Sequence, residues 1–335
     1  MKLFVTGGAG FIGSNFILYW LKKYPEHQIV NFDKLTYAGN LANLREVEDN
    51  PNYFFIQGDI CSKDIVSRAM AGSDIVVHFA AESHVDRSIL DSSEFITTNV
   101  LGTETLLKAS LENNIKHFHH VSTDEVFGSL ELDSVKRFSE LSTYQPNSPY
   151  AASKAASDLL VRAYQKTYGM KTTISNTSNN YGPYQFPEKL IPLMSVSALF
   201  ERPLPVYGDG KNIRDWIHVE DHCHAIDLII QKGRSGETYC VGGDCEISNL
   251  DVVKSIIKHT NKTEELIKFV PDRKGHDRRY AIDSSKIKTE LGFTHKHTFE
   301  EELPQTIKWY AEHRSWWQPL LQKESNYFQK QYGQK

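Results

Sequence analysis

Seven residues near the start of the chain, Gly7-Gly8-Ala9-Gly10-Phe11-Ile12-Gly13, constrain everything that follows. They stand between residues 2–6, an apolar run too short to be anything but a strand, and residues 14–23, which read as a helix. A second apolar run, 29–32, leads into Asp33, twenty residues after Gly13. Strand, glycine turn, helix, strand and acid is the order of a dinucleotide-binding βαβ unit. Gly7 permits the tight turn, Gly10 leaves the backbone open to a pyrophosphate, and Gly13 lets the helix sit close on the sheet. The helix N-terminus offers free N–H groups and partial positive charge to the phosphates. Asp33 can accept hydrogen bonds from both ribose hydroxyls and repels a 2′-phosphate, which favours NAD over NADP.

A chain of 335 residues can bury one large or two moderate cores. Its formal net charge of −4 gives no basic field, so neither nucleic acid nor an anionic membrane is an expected partner. No run approaches the length of a membrane span. The first strand starts at Lys2, so no signal peptide is expected. Cys61, Cys223, Cys240 and Cys245 form no C-x-x-C pair, which reads as reduced thiols in the cytoplasm.

Strands and helices alternate through the first half, implying an α/β fold: a Rossmann doubly wound parallel sheet with a smaller C-terminal substrate-binding domain. Further strands are expected at 53–57, 75–79, 117–121 and 171–176. A long helix is expected over 92–113, with Leu101, Thr105, Leu106 and Ala109 on one stripe, and another over 150–168. Asp59, after the third strand, can reach an adenine amine or cap the next helix, and the sequence leaves both open. His117, His119 and His120 alternate across a strand without a carboxylate pattern, so they read as core histidines and no metal is expected. Proline and glycine rise after Gly182. The division is therefore 1–181 for NAD, with 213–242 returning to it, and 182–335 mainly for the substrate. Trp309, Trp316 and Trp317 read as helix packing.

Tyr150 and Lys154 are four apart at a helix start and share one face. A neighbouring ammonium, with a positive nicotinamide, is expected to lower the tyrosine pKa and make it a base for a sugar hydroxyl. Thr123 can bind the same hydroxyl. These groups explain one hydride transfer. Asp124-Glu125, adjacent acids at a strand end, add an acid and a base, which is what elimination of water needs.

The glycine spacing resembles the short-chain dehydrogenase/reductase superfamily. Residues 33–40 (DKLTYAGN), 80–88 (AAESHVDRS), 122–128 (STDEVFG), 150–154 (YAASK), 179–184 (NNYGPY), 187–192 (PEKLIP), 208–210, 212–216 and 275–280 extend the likeness. Together they resemble the dTDP-glucose 4,6-dehydratases, an extended branch of that superfamily, over roughly residues 1–295. Gln185 departs from the pattern, where histidine is expected, and the loop from Gly128 to Tyr150 is short.

The resemblance implies that dTDP-glucose is oxidised at C4, loses water across C5 and C6, and takes its hydride back at C6. It implies catalysis by Thr123, Asp124, Glu125, Tyr150 and Lys154. NAD contacts are implied for Gly7, Gly10, Phe11, Ile12, Gly13, Asp33, Lys34, Leu35, Thr36, Asp59, Ile60, Phe79, Ala80, Ala81, Ser83, Thr98, Tyr150, Lys154 and Asn180. Substrate contacts are implied for Ser83, Thr123, Asn179, Lys189, Leu190, Pro205, Tyr207, Arg214, Asn249, Arg273 and His276. It also implies a homodimer paired through the helices at 92–113 and 150–168. Other readings of the fold are a nucleotide-sugar 4-epimerase or decarboxylase, or a non-catalytic NAD-binding protein. The former do not need the acid pair, and the latter is free to lose Tyr150 or Lys154.

Overall fold

In the computed structural model residues 1–323 are described; residues 324–335, the end of the expected substrate domain, lie outside them. β1 (Lys2–Thr6) enters the glycine turn, α1 (Phe11–Lys23) leaves it, and β2 (Gln28–Asp33) follows. Then come β3 (Tyr53–Gln57), α2 (Lys63–Met70), β4 (Ile75–His78), α3 (Val85–Leu90), α4 (Ser93–Phe95) and α5 (Thr103–Glu112). β5 (His117–Thr123), α6 (Pro149–Tyr168), β6 (Thr172–Thr177) and β7 (Asn179–Tyr181) bring the chain to residue 181. The remainder begins with α7 (Leu190–Leu199), β8 (Leu204–Tyr207), β9 (Ile213–His218), α8 (Val219–Lys232) and β10 (Thr238–Val241). It ends with β11 (Glu246–Ser248), α9 (Asn249–His259), β12 (Ile267–Val270), α10 (Ser285–Leu291), α11 (Phe299–Glu312) and α12 (Arg314–Lys323).

Seven strands pair in parallel in the order β10-β6-β5-β4-β1-β2-β3. The order reverses between β1 and β4, which opens a crevice at their C-terminal ends. Alternation along β1 sorts its side chains. Phe4 packs on one face with Leu106, Phe118 and Val161. Leu3 and Val5 pack on the other with Phe16, Trp20 and Ile226. Each fully buried side chain of this size contributes roughly 1.5–3 kcal/mol, so the two apolar layers hold the sheet between its helices.

The expected helix at 92–113 is interrupted. A π-helical stretch, Ile96–Gly102, separates α4 from α5. The wider turn shifts the register, so the expected stripe divides. Leu106 and Ala109 are buried, Thr105 is half-buried, and Leu101 is 56% exposed. Gly102 takes the inward position instead, where a Cβ would come within 2.5 Å of Ile60.

In the second half, α8 packs on α1 and adds Val219, Cys223, Ile226 and Ile230 to the Leu3 face. β10 joins the large sheet beside β6. β9, expected with them, goes elsewhere: it pairs with β7 and β11 in a separate three-stranded sheet. β10 already occupies the free edge of β6, so β9 has no place there. Under this small sheet α7, α9 and α11 bury Met194, Val253, Leu303 and Ile307. Trp309 and Trp316 meet Tyr184 edge-on, and Trp317 is buried beside Tyr310.

Candidate active site

The C-terminal ends of the central strands open into a cleft of about 310 Å³. Gly7 sits at φ +70°, and a Cβ there would lie 2.6 Å from Ala80 N, so only glycine fits. Gly10 starts α1, whose N-terminus has no side-chain cap. Gly10, Phe11, Ile12 and Gly13 line the cleft, leaving that uncapped end on its wall. A Cβ on Gly13 would meet Gly7 O at 2.3 Å, so its close approach is to the turn itself rather than to the sheet.

Asp33 closes the cleft at the end of β2. Its carboxylate accepts from Ala9 N at 3.0 Å and Leu35 N at 2.8 Å. Burial raises its pKa against the pull of those two donors. Each oxygen keeps a lone pair for another donor. Asp59 pairs with Lys34 at 2.8 Å and accepts from Cys61 N. Ser62, not Asp59, occupies the N-cap of α2, which removes the capping alternative. Thr36, Ile60, Phe79, Ala80, Ala81, Ser83, Thr98 and Asn180 also line the cleft. Leu35 does not; it contributes the N–H that fixes Asp33. An uncapped helix end, a turn without room for Cβ atoms and an acid at the next strand end suit the pyrophosphate and ribose of NAD.

Tyr150 and Lys154 project from the first turns of α6. Ser148 caps this helix by accepting from Ala151 N at 3.1 Å, and Pro149 occupies its first turn. Both side chains are buried. Lys154 Nζ donates to Val121 O at 2.8 Å and lies 3.4 Å from His120 Nε2. Burial lowers its pKa to about 8. The expected lowering of the Tyr150 pKa draws on Lys154 together with a positive nicotinamide, and the protein groups by themselves act the other way. Burial, then Glu125 and Asp124, push that pKa well above its ordinary value. The Lys154 ammonium is held by β5 instead, so the charge that frees the phenol must come with a ligand.

β5 runs into a tight 3₁₀ turn, Asp124–Phe127, which directs both acids into the cleft. Thr123 Oγ1 accepts from Glu125 N at 3.2 Å and donates to Asp124 Oδ1 at 3.3 Å, and it lines the cleft together with Tyr150. Asp124 Oδ2 has no partner among the described residues. Burial, with Glu125 and Asp215 nearby, raises the Asp124 pKa well above its ordinary value. Burial also raises Glu125, but Arg214 and Arg273 pull it back down. The two acids therefore differ in environment, as an acid and a base must. The three β5 histidines have protein partners: His117 and His119 share Thr173, and His120 lies 3.1 Å from Ser157 Oγ.

A second cavity of about 170 Å³ adjoins the cleft, sharing Ser83, Glu125, Asn179 and Lys189 with it. Leu190, Pro205, Tyr207, Arg214, Asn249, Arg273 and His276 line this cavity as well. Arg214 is anchored by its donation to Asp277 O at 3.0 Å and lies over the Tyr280 ring. Lys189 is half-buried and donates to Ser83 O at 3.0 Å. Burial, with Arg214 and Arg273, lowers His276 to about 4, so it is a neutral donor at pH 7. Three cationic side chains around one cavity suit a pyrophosphate.

Some residues of the site carry no assignment from sequence. Asp86 holds Arg273 through an ion pair at 2.6 Å, Glu188 holds Arg87 at 3.1 Å, and Tyr280 walls the second cavity. Asp86 and Arg87 belong to the stretch 80–88, but only the fold reveals their partners, which are 187 and 101 residues away.

The family described as GDP-mannose 4,6 dehydratase matches residues 4–306. A dTDP-glucose 4,6-dehydratase of Neisseria meningitidis is 50% identical, with 96% of each chain covered. Among solved structures, the dTDP-glucose 4,6-dehydratase of Streptomyces venezuelae, with NAD bound, is 48% identical with a TM-score of 0.93. That match covers 96% of this chain and 100% of the other. The Bacillus anthracis dTDP-glucose 4,6-dehydratase in complex with NAD is 47% identical with a TM-score of 0.90, covering 96% and 99%.

Proposed function

This chain belongs to the GDP-mannose 4,6 dehydratase family, and on that premise we propose how its residues divide the chemistry. The protein is an NAD-dependent hydro-lyase that converts dTDP-glucose to dTDP-4-keto-6-deoxyglucose and water. The observation that carries the assignment of roles is the placement of Asp124 and Glu125 in one cleft with Tyr150 and Lys154.

NAD, when bound, accepts hydride from C4 of the sugar and returns it to C6, so no external reductant is consumed. Gly7 to Gly13, Asp33, Lys154 and Asn180 would hold it. Tyr150 removes the O4 proton, with Thr123 holding the same hydroxyl in place. The 4-keto group then acidifies C5, and Glu125 takes that proton. Asp124, whose pKa burial raises well above its ordinary value, protonates the departing C6 oxygen. Glu125 finally returns its proton to C5. Lys189, Arg214 and Arg273 bind the substrate pyrophosphate, with the sugar directed toward the shared wall of the two cavities. The first 181 residues serve NAD and the remainder mainly the nucleotide sugar.

The reading extends to assembly and location. Leu90 of α3, Ile96 and Leu101 of the π-helical stretch and Leu159 of α6 are 59%, 47%, 56% and 55% exposed, and α6 packs on α3 and on that stretch, which supports a homodimer through these helices. Four free thiols suit the cytoplasm. Among the described residues no helix is long and apolar enough to cross a membrane.

Incubation with dTDP-glucose and detection of the ketosugar chromophore in alkali tests the reaction. The same assay with UDP- and GDP-glucose tests base selection. No chromophore from any of the three refutes the reading. An epimerase or decarboxylase would give a different product and would not need Asp124.

A further inference from the structure

We propose that Asp86 is a positioning residue for the substrate diphosphate: it holds the Arg273 guanidinium in place in the second cavity before the nucleotide sugar arrives. The inference rests on the dehydratase reading above and deepens it.

The cations of the cavity and their anchors come from distant parts of the chain. Lys189 and Arg273 belong to the part proposed for the nucleotide sugar, and their partners stand together around the start of α3, in the part proposed for NAD. Lys189 donates to Ser83 O at 3.0 Å, and Arg273 pairs with Asp86. Beside them, Arg87 pairs with Glu188, the neighbour of Lys189, at 3.1 Å. Residues 83–87 thus gather the phosphate-binding side chains from one side.

Arg273 needs such an anchor. It sits between β12 and α10, outside any helix or strand. A long side chain on such a segment has many rotamers, and ordering it on binding weakens affinity. Asp86 orders it beforehand. Arg273 Nε lies 2.6 Å from Asp86 Oδ1, and Nη2 donates to Oδ2 at 3.2 Å. The Tyr207 hydroxyl donates to the same Oδ2 at 3.3 Å, and the guanidinium carbon lies 5.3 Å from the Tyr207 ring centre. All three residues line the second cavity. The Asp86 side chain is 5% exposed and that of Arg273 22%, so the anchor is buried while the cation keeps access.

A carboxylate near a diphosphate also repels it. Were Asp86 only a competing anion, its removal would tighten binding. The contacts favour the other sign. Asp86 engages Nε and Nη2, while Nη1 hydrogen-bonds no described residue. The guanidinium fork has five N–H donors, so Arg273 can hold the carboxylate and a phosphate at once.

Calorimetric titration of the NAD-loaded protein with dTDP, with steady-state rates on dTDP-glucose, tests the assignment. Asp86→Asn keeps the shape and removes the charge. It should bind dTDP about tenfold more weakly, the size expected when one long side chain has to be ordered on binding. KM should rise by a similar factor with kcat little changed, the pattern of binding lost equally from ground and transition states. Arg273→Gln should also weaken dTDP, and in that background Asp86→Asn should add no further loss. Asp86→Glu keeps the charge and should lose less affinity than Arg273→Gln; it carries the test should Asp86→Asn not fold. Asp86→Asn that binds dTDP as tightly as the parent or more tightly overturns the assignment. So does a loss that persists undiminished in the Arg273→Gln background, a fall in kcat at unchanged KM, or an Asp86→Glu loss equal to that of Arg273→Gln. A parent protein that forms no ketosugar overturns the dehydratase reading, whereas the dTDP titrations judge Asp86 by themselves.

Discussion

Asp33 is fastened to Ala9: the Ala9 backbone N–H donates to Asp33 Oδ2 at 3.0 Å. One carboxylate thus braces the glycine turn and lines the cleft. Asp33→Ser should weaken NAD by about 10- to 100-fold, since hydrogen bonds to charged groups contribute about 1.5–3 kcal/mol. Discrimination against NADP should fall with it. The check is the nucleotide released from purified protein, and NADP in the parent protein would refute the assignment.

The proposed roles put separate groups in charge of the two halves of the reaction, so each half should be open to separate disabling. Asp124→Asn keeps the shape and removes the acid. C4 oxidation should continue while water loss slows by about 10²- to 10⁴-fold. Absorbance of reduced nicotinamide should therefore build up after mixing with dTDP-glucose. Tyr150→Phe should show no such absorbance, because the first step fails. A Tyr150→Phe protein that reduces its NAD as fast as the parent contradicts the roles.

A histidine joins α8 to α11. His297 lies 3.4 Å from Glu220 of α8 and 3.0 Å from Glu302 of α11. The Glu220 hydrogen bond, outweighing burial with help from Glu302, raises its pKa from 6.5 to about 9. A group whose pKa is raised on folding stabilises fully below its unfolded value and loses that effect as pH rises through the folded value. The contribution should be complete below pH 6.5 and gone above about pH 9. His297→Gln should lower Tm at pH 6 by about 1–2 °C, on the order of 1 kcal/mol for a partly exposed pair. Melting curves at pH 6 and pH 10 check the sign, and an equal loss at both refutes it.

The exposed apolar residues of α3, the π-helical stretch and α6 predict the assembly. Light scattering at micromolar concentration should give twice the chain mass. Leu101→Glu with Leu159→Glu should give a monomer, because burying two unpaired carboxylates costs more than the interface gains. A parent protein of monomeric mass rules the interface out.

The βαβ opening was legible because its chemistry is local. Gly7, Gly10, Gly13 and Asp33 lie within one short stretch, and turn geometry and helix-end charge depend on little else. The same holds for the paired acids Asp124 and Glu125, and for Tyr150 and Lys154 one helical turn apart. What depends on distant partners was not legible. The π turn at Ile96–Gly102 redirects Leu101 outward because of how Gly102 packs on Ile60. β9 pairs with β7 because β10 has filled the edge of β6.

Electrostatics followed the same division. The sequence placed Lys154 beside Tyr150 and so suggested a lowered pKa for the tyrosine. The fold ties that ammonium to Val121 O and sets two buried carboxylates near the phenol, which reverses the sign. The sequence by itself supplied the groups whose relation is local: the glycine turn, Asp33, the Asp124-Glu125 pair and Tyr150 with Lys154. Tertiary structure decided their charge and connection, because burial and long-range hydrogen bonds exist only once the chain has closed on itself.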